Sequence, residues 1–91
     1  MRLERNLGKH TMHIAIVKFN GFSGRPGAQT PAELWKAELV GLNGLRLPCR
    51  TPNHNPGGYI CEEYARCDAK PYADLTGWPV VVEDQTDCVA N

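Results

Sequence analysis

The tetrapeptide Leu42-Asn43-Gly44-Leu45 narrows the possible folds of this 91-residue chain more than any other stretch. Asn-Gly between two apolar residues is the strongest short-range hairpin signal, because a two-residue hairpin turn needs positive φ at both central positions. A turn of that kind pairs Leu42 with Leu45, Val40 with Leu47 and Glu38 with Cys49. Residues 45–50 then form the partner strand, and Arg46 and Arg50 fall on the face shared with Trp35, Ala37 and Leu39. A competing reading makes Ala32 to Val40 a helix, with Thr30 as N-cap, Pro31 at the first position, Glu33 closing a capping box and Gly41 as the stop. The hairpin is preferred, since a helix ending at Gly41 leaves Leu45-Arg46-Leu47 without a partner.

The segment His13-Ile14-Ala15-Ile16-Val17-Lys18-Phe19 is the clearest strand. It is rich in β-branched residues and apolar on both faces, Ala15, Val17 and Phe19 on one side and Ile14 and Ile16 on the other, which predicts a central place in a sheet. Residues 20–31 carry three Gly and two Pro and read as a long functional loop. Asn55-Pro56 reads as a helix start, Asn55 as N-cap and Pro56 as the first residue. The helix body, Tyr59 to Ala69, puts Ile60, Tyr64 and Cys67 on one stripe and spaces Glu62 and Arg66 for an ion pair. Pro71 is expected to break or kink it, with Gly77 as the final stop. Trp78 to Glu83 is a last strand, with Pro79 at its start or on an edge. The sum is an α+β fold: a small antiparallel β-sheet of strand, hairpin and strand, with one main helix packed on one face.

A chain of this length builds one core, so residues 1–91 form a single domain, with 1–12 as a basic N-terminal arm and 84–91 as a loose acidic tail. No apolar run approaches the roughly 20 residues needed to cross a bilayer, and Met1 to Thr11 lacks the apolar stretch of a signal peptide. The expected location is cytoplasmic, where Cys49, Cys61, Cys67 and Cys88 stay reduced.

Net charge is zero, but its distribution is lopsided. Residues 1–50 hold eight Lys and Arg against three Glu, and residues 51–91 hold two against seven Asp and Glu. If the fold keeps those halves apart, one surface attracts phosphate or acidic protein and the other basic protein. The candidate partner-binding residues are therefore Lys18, Phe22, Arg25, Lys36, Arg46 and Arg50, with Phe22 or Trp35 available to stack.

Catalytic and cofactor signals are thin. Cys49, His54, Cys61 and Cys67 include the ligand types of a structural zinc, but Cys61 and Cys67 are spaced to miss a common helix face, so no metal or other cofactor is expected. A thiolate paired with His54 would need assembly across the fold. Gly21 to Gly27 and Gly57-Gly58 match neither a Walker loop nor a dinucleotide fingerprint, and are read as turns. These observations point to a protein that works by contact, not by catalysis, without a small-molecule substrate.

Two stretches, Lys18-Phe19-Asn20-Gly21-Phe22-Ser23-Gly24-Arg25 and Asn53-His54-Asn55-Pro56-Gly57-Gly58-Tyr59, together with the chain's size and hairpin-helix-strand make-up, resemble small phage-encoded anti-CRISPR proteins, in particular inhibitors of the type I-F surveillance complex. Such inhibitors share no common fold or catalytic motif, so no residue role transfers. The resemblance implies a non-enzymatic phage inhibitor that occupies Cas subunits, in some members also guide RNA, inside the host cell and so blocks recognition of target DNA. Some members mimic DNA with strongly acidic surfaces; this chain has no net charge, which implies occupation of protein and RNA surfaces instead. The alternatives are a free-standing nucleic-acid-binding protein, whose affinity would fall steeply with salt, and a small thiol-dependent enzyme, which would show one strongly reactive cysteine.

Overall fold

Residues 12–52 and 54–86 are described by a computed structural model. Its elements run β1 (His13–Ser23), β2 (Thr30–Val40), β3 (Arg46–Pro48), α1 (Glu62–Thr76) and β4 (Val80–Asp84). They form one four-stranded sheet in the order β3-β2-β1-β4, with the helix on one face. The fold is α+β, as the sequence predicts. The sheet is mixed, however: β1, β2 and β3 are antiparallel neighbours, whereas β4 runs parallel to β1 from Ile14–Val80 to Lys18–Asp84. Parallel pairing needs a crossover, and α1 supplies the way back to the start of β1.

β1 and β2 pair along their whole lengths, from His13 opposite Val40 to Ser23 opposite Thr30. This ladder absorbs half of the predicted 20–31 loop and leaves only residues 24–29 as connection. It also excludes the capping-box helix: Thr30, Pro31 and Glu33 sit in β2 opposite Ser23, Phe22 and Asn20.

The Asn-Gly hairpin is present, but its register differs from expectation by one residue. Val40 faces Arg46, Leu39 faces Leu47 and Glu38 faces Pro48. Gly44 alone takes positive φ, at 82°, while Asn43 keeps a negative φ and accepts a hydrogen bond from the Leu45 amide through Oδ1 at 3.0 Å. The Gly44 N–H donates to Gly41 C=O and the Gly41 N–H to Leu45 C=O, which is the three-residue form of the turn with glycine in the left-handed position. Because side chains alternate, that single step moves Arg46 off the Trp35 face and onto the face of Glu38 and Val40.

Between sheet and helix lie Ile14, Ile16, Ala37, Cys49, Ala65 and Ala69, bordered by Trp35, Leu39, Tyr59, Tyr72, Ala73 and Trp78. On the opposite face Ala15, Val17 and Val40 pack with Phe19. β1 is thus buried on both sides, as its two apolar faces require. The helix begins later than predicted, with Cys61 as N-cap, because Pro56 and Gly57 form a turn closed by Gly58 N–H to Asn55 C=O. It also continues through Pro71 to a left-handed cap at Gly77. Proline there removes one backbone donor, that to the carbonyl of Cys67, on the exposed side of the helix where solvent replaces it.

The predicted basic arm falls on residues 1–11, outside the described part, apart from Met12. Of the predicted loose tail, Asp84 belongs to β4, the Gln85 N–H donates to Lys18 C=O, and Asn20 Nδ2 donates to Thr86 C=O. The Thr86 hydroxyl and backbone N–H both bond to Asp84, and with the nearby Lys18 charge they hold its carboxyl below the usual range. Residues 87–91, Cys88 among them, lie outside the described part. No helix among the described residues is long and apolar enough to cross a membrane.

Candidate partner-binding surface

The connection from β3 to α1, residues 49–61, has little regular structure, yet one side chain pins it. Asp68, buried in the middle of α1 at 4% exposure, accepts hydrogen bonds from Thr51 Oγ1 at 2.7 Å and Tyr59 OH at 2.7 Å, and pairs with His54 Nδ1 at 3.2 Å. A carboxylate can accept from several directions, so one helical residue gathers three points of the loop. Burial, with the Asp68 hydrogen bond, pushes the Tyr59 phenol above its ordinary value and keeps it a neutral donor.

Backbone contacts finish the attachment. Tyr59 exchanges both hydrogen bonds with Trp35, at 2.7 and 2.8 Å, and takes the part of the β2 edge that the short β3 leaves open. Gly58 precedes it at φ +97°, where an added Cβ would stand 2.7 Å from Phe19 Cζ. Only glycine fits so close an approach in that conformation.

The pinned loop walls two grooves against the sheet. The first, about 380 Å³, lies between the loop and the tip of the β1–β2 hairpin and is lined by Phe22, Leu34, Tyr59, Ile60 and Tyr64 with Gly24 and Gly58. Phe22, Ile60 and Tyr64 are 64%, 63% and 54% exposed around it, and the Tyr59 and Tyr64 rings meet edge to face at 5.9 Å. Arg25 follows Gly24 at the hairpin tip. The second groove, about 320 Å³, lies along β2 and is lined by Lys36, Glu38, Arg50, His54, Asn55 and Pro56, among others.

The six candidate residues are therefore distributed. Phe22 belongs to the first groove and Lys36 and Arg50 to the second, while Arg25 stands at the hairpin tip. Lys18 lies over the Trp35 ring, 5.6 Å from its centroid, and pairs with Glu33 at 3.3 Å. Arg46 joins Glu38 at 3.0 Å to Glu83 at 2.6 Å, and Lys36 and His13 extend the chain at 3.3 and 3.4 Å. The expected separation into a basic and an acidic surface is not what the described residues show. Arg46 of the basic half meets Glu83 of the acidic half, and Lys18 and Lys36 each face a glutamate. Arg25 and Arg50 are the basic residues of the described part with no carboxylate in ion-pair reach. Ile60, Tyr64 and the anchor Asp68 were absent from the candidate set. The sequence marks them only as helix residues, and nothing local to Asp68 says that three loop donors converge on it.

Cys49, Cys61 and Cys67 are free thiols, and among the described residues no group of three or more His, Cys, Asp or Glu side chains is placed to hold a metal. Burial, reinforced by the negative charges of Asp68 and Glu38, pushes the Cys49 thiol up to about 11. That is the wrong direction for a nucleophile at neutral pH. It also makes stability depend on pH. The neutral thiol is favoured in the folded state, so this contribution is complete below the ordinary thiol value near 9 and is lost as pH rises towards 11. Urea midpoints should therefore fall more between pH 8 and pH 10.5 for the natural chain than for Cys49→Ala. Equal slopes would contradict the assignment.

Comparison with known protein families, curated proteins and solved structures finds no match to this chain.

Proposed function

We propose that this protein is a non-enzymatic binding protein that docks on a larger protein or nucleoprotein through the groove between its hairpin tip and the pinned loop. The observation that carries this reading is the ring of exposed Phe22, Ile60 and Tyr64 around a concave groove, on a backbone fixed by Asp68 and the Trp35 pairing. Exposed aromatic anchors on a rigid frame, with an unpaired arginine close by in the chain, are the composition that dominates protein-binding energetics. Interleaved lysines and glutamates elsewhere favour this over a free-standing nucleic-acid binder, which needs an uncompensated basic track. The upward-shifted thiol of Cys49 disfavours that cysteine as a nucleophile.

The resemblance to anti-CRISPR proteins supplies the partner class: Cas subunits, with or without guide RNA, of a type I-F surveillance complex in the host cytoplasm. The protein then acts as a phage inhibitor that blocks target DNA recognition by stoichiometric occupation, without turnover. Titrating the purified protein into such a complex and following target-DNA binding checks this. Inhibition should saturate at a fixed stoichiometry, and Phe22→Ala with Tyr64→Ala, both at exposed positions, should weaken it by roughly a hundredfold, at about 1–2 kcal/mol per anchor. Undiminished DNA binding at saturating protein overturns the CRISPR assignment, and full inhibition by the folded double variant overturns the groove.

A further inference from the structure

The second groove has a composition that docking at the first does not use. Arg50 is exposed and, among the described residues, has no carboxylate in reach, yet its backbone is held at successive residues: Cys49 N–H donates to Ala37 C=O at 3.0 Å, Tyr72 OH donates to Arg50 C=O at 2.6 Å, and Thr51 Oγ1 donates to Asp68. A guanidinium without a partner on a fixed backbone is preorganised for an anion. Two further donors share the groove. Lys36 is held beside it, its Nζ 3.3 Å from Glu38 and 4.9 Å from the Phe19 ring centroid. His54 donates through Nδ1 to Asp68, which leaves Nε2 as the nitrogen for the groove, a donor there in the imidazolium form, with a proton on each nitrogen. Glu38 is the carboxylate in the lining, and its charge is shared between Lys36 and Arg46 at 3.3 and 3.0 Å.

We infer that this notch binds a phosphate group, with Arg50 as the principal contact and Lys36 and His54 completing the cradle. An arginine fork and the N–H of a doubly protonated His54 ring from the loop, with an ammonium from β2, match a tetrahedral anion with oxygens in several directions; a planar carboxylate is satisfied by the fork alone. The walls of Ala37, Pro48 and Pro56 are apolar and leave room beside the phosphate for the sugar or base of a nucleotide. The phosphate comes either from a small ligand or from a nucleic-acid backbone, and the notch works whether or not the aromatic groove seats a protein.

The test is amide and side-chain NMR titration of the full chain with inorganic phosphate, then with a short single-stranded RNA, and in parallel with acetate and a glutamate-rich peptide. Phosphate should shift the Arg50 guanidinium, the His54 ring and the Asn55 amide, and leave Arg25 in place. Arg50→Gln should weaken the affinity roughly tenfold or more, as for loss of a hydrogen bond to a charged group. Arg50→Lys should recover part of it, and Arg25→Gln should leave it unchanged. RNA binding more tightly than phosphate identifies a polymer backbone as the source, and equal affinity identifies a small phosphate ligand. Absent shifts, shifts that survive in the folded Arg50→Gln protein, or acetate and the acidic peptide binding as well as phosphate, each overturn the assignment.

Discussion

Asp68→Ala should lower the stability of the protein by about 3 kcal/mol, a drop in Tm of roughly 10–20 °C for a domain of this size. Three donors converge on this carboxylate, from Thr51, Tyr59 and His54, and its side chain is almost wholly buried, so the change strands all three and leaves a void beside Ala65 and Ala69. Hydrogen bonds to a charged acceptor contribute more than neutral ones, and a buried partner left unmade costs its full desolvation. Asp68→Asn separates shape from charge. It fills the same space but offers one acceptor oxygen and turns an N–H₂ group towards the donors, so it should still cost more than about 1 kcal/mol. Thermal and urea unfolding of the two variants measures both effects. An Asn variant as stable as the natural chain would mean that packing, not the carboxylate, holds the loop.

Gly58→Ala should be the second large effect, at roughly 2–4 kcal/mol. Its φ of +97° costs an L side chain about 1–2 kcal/mol. The new Cβ would also meet Phe19 Cζ at 2.7 Å, Phe19 Cε1 at 3.1 Å and Leu34 Cβ at 3.3 Å, and relieving such overpacking typically costs about 1–3 kcal/mol. The expected outcome is a lower urea midpoint with an unchanged m value. Gly27→Ala is the control, since its φ is +86° but nothing lies within 4 Å of the added Cβ. It should cost only the backbone part. Equal losses at the two positions would show that the contact between the loop and Phe19 is not tight.

Both residues are in the loop anchorage, which is also where sequence reasoning reached least far. The strand at 13–19, the Asn-Gly hairpin, the helix stop at Gly77 and the final Val-rich strand were legible because each is a local signal: period-two apolarity, turn chemistry, a left-handed cap. Three features were not. The parallel placement of β4 is a matter of topology, set by which edge remains free after β2 and β3 have paired, and no residue in Val80–Asp84 encodes direction. The register of the β2–β3 hairpin hangs on whether Asn43 or only Gly44 takes positive φ, and Asn-Gly permits both turns. The Asp68 cluster joins positions 51, 54, 59 and 68 across a loop and a helix, so only the folded chain brings it together.

Charge was misleading for a related reason. A count along the chain separates basic and acidic halves, but the sheet places Glu38 of β2 and Glu83 of β4 within reach of Arg46 of β3, so the field largely cancels where it is generated. The proposed recognition rests on local features instead: the aromatic groove at the hairpin tip, and Arg25 and Arg50, which have no carboxylate in reach among the described residues. Of the six residues chosen from sequence, Phe22, Arg25 and Arg50 enter no ion pair among the described residues. Lys18, Lys36 and Arg46 also carry structural contacts.

The most direct measurement is amide hydrogen exchange across residues 51–60 in the free protein. A rigid platform requires the Tyr59 and Gly58 amides, bonded to Trp35 C=O and Asn55 C=O, to be protected, Tyr59 to the same degree as neighbouring amides of β2, and that protection to collapse in Asp68→Ala while β1 stays protected. Exchange of the Tyr59 amide in the natural chain at the rate of an unstructured peptide would contradict the account, since neither groove would then have a fixed wall.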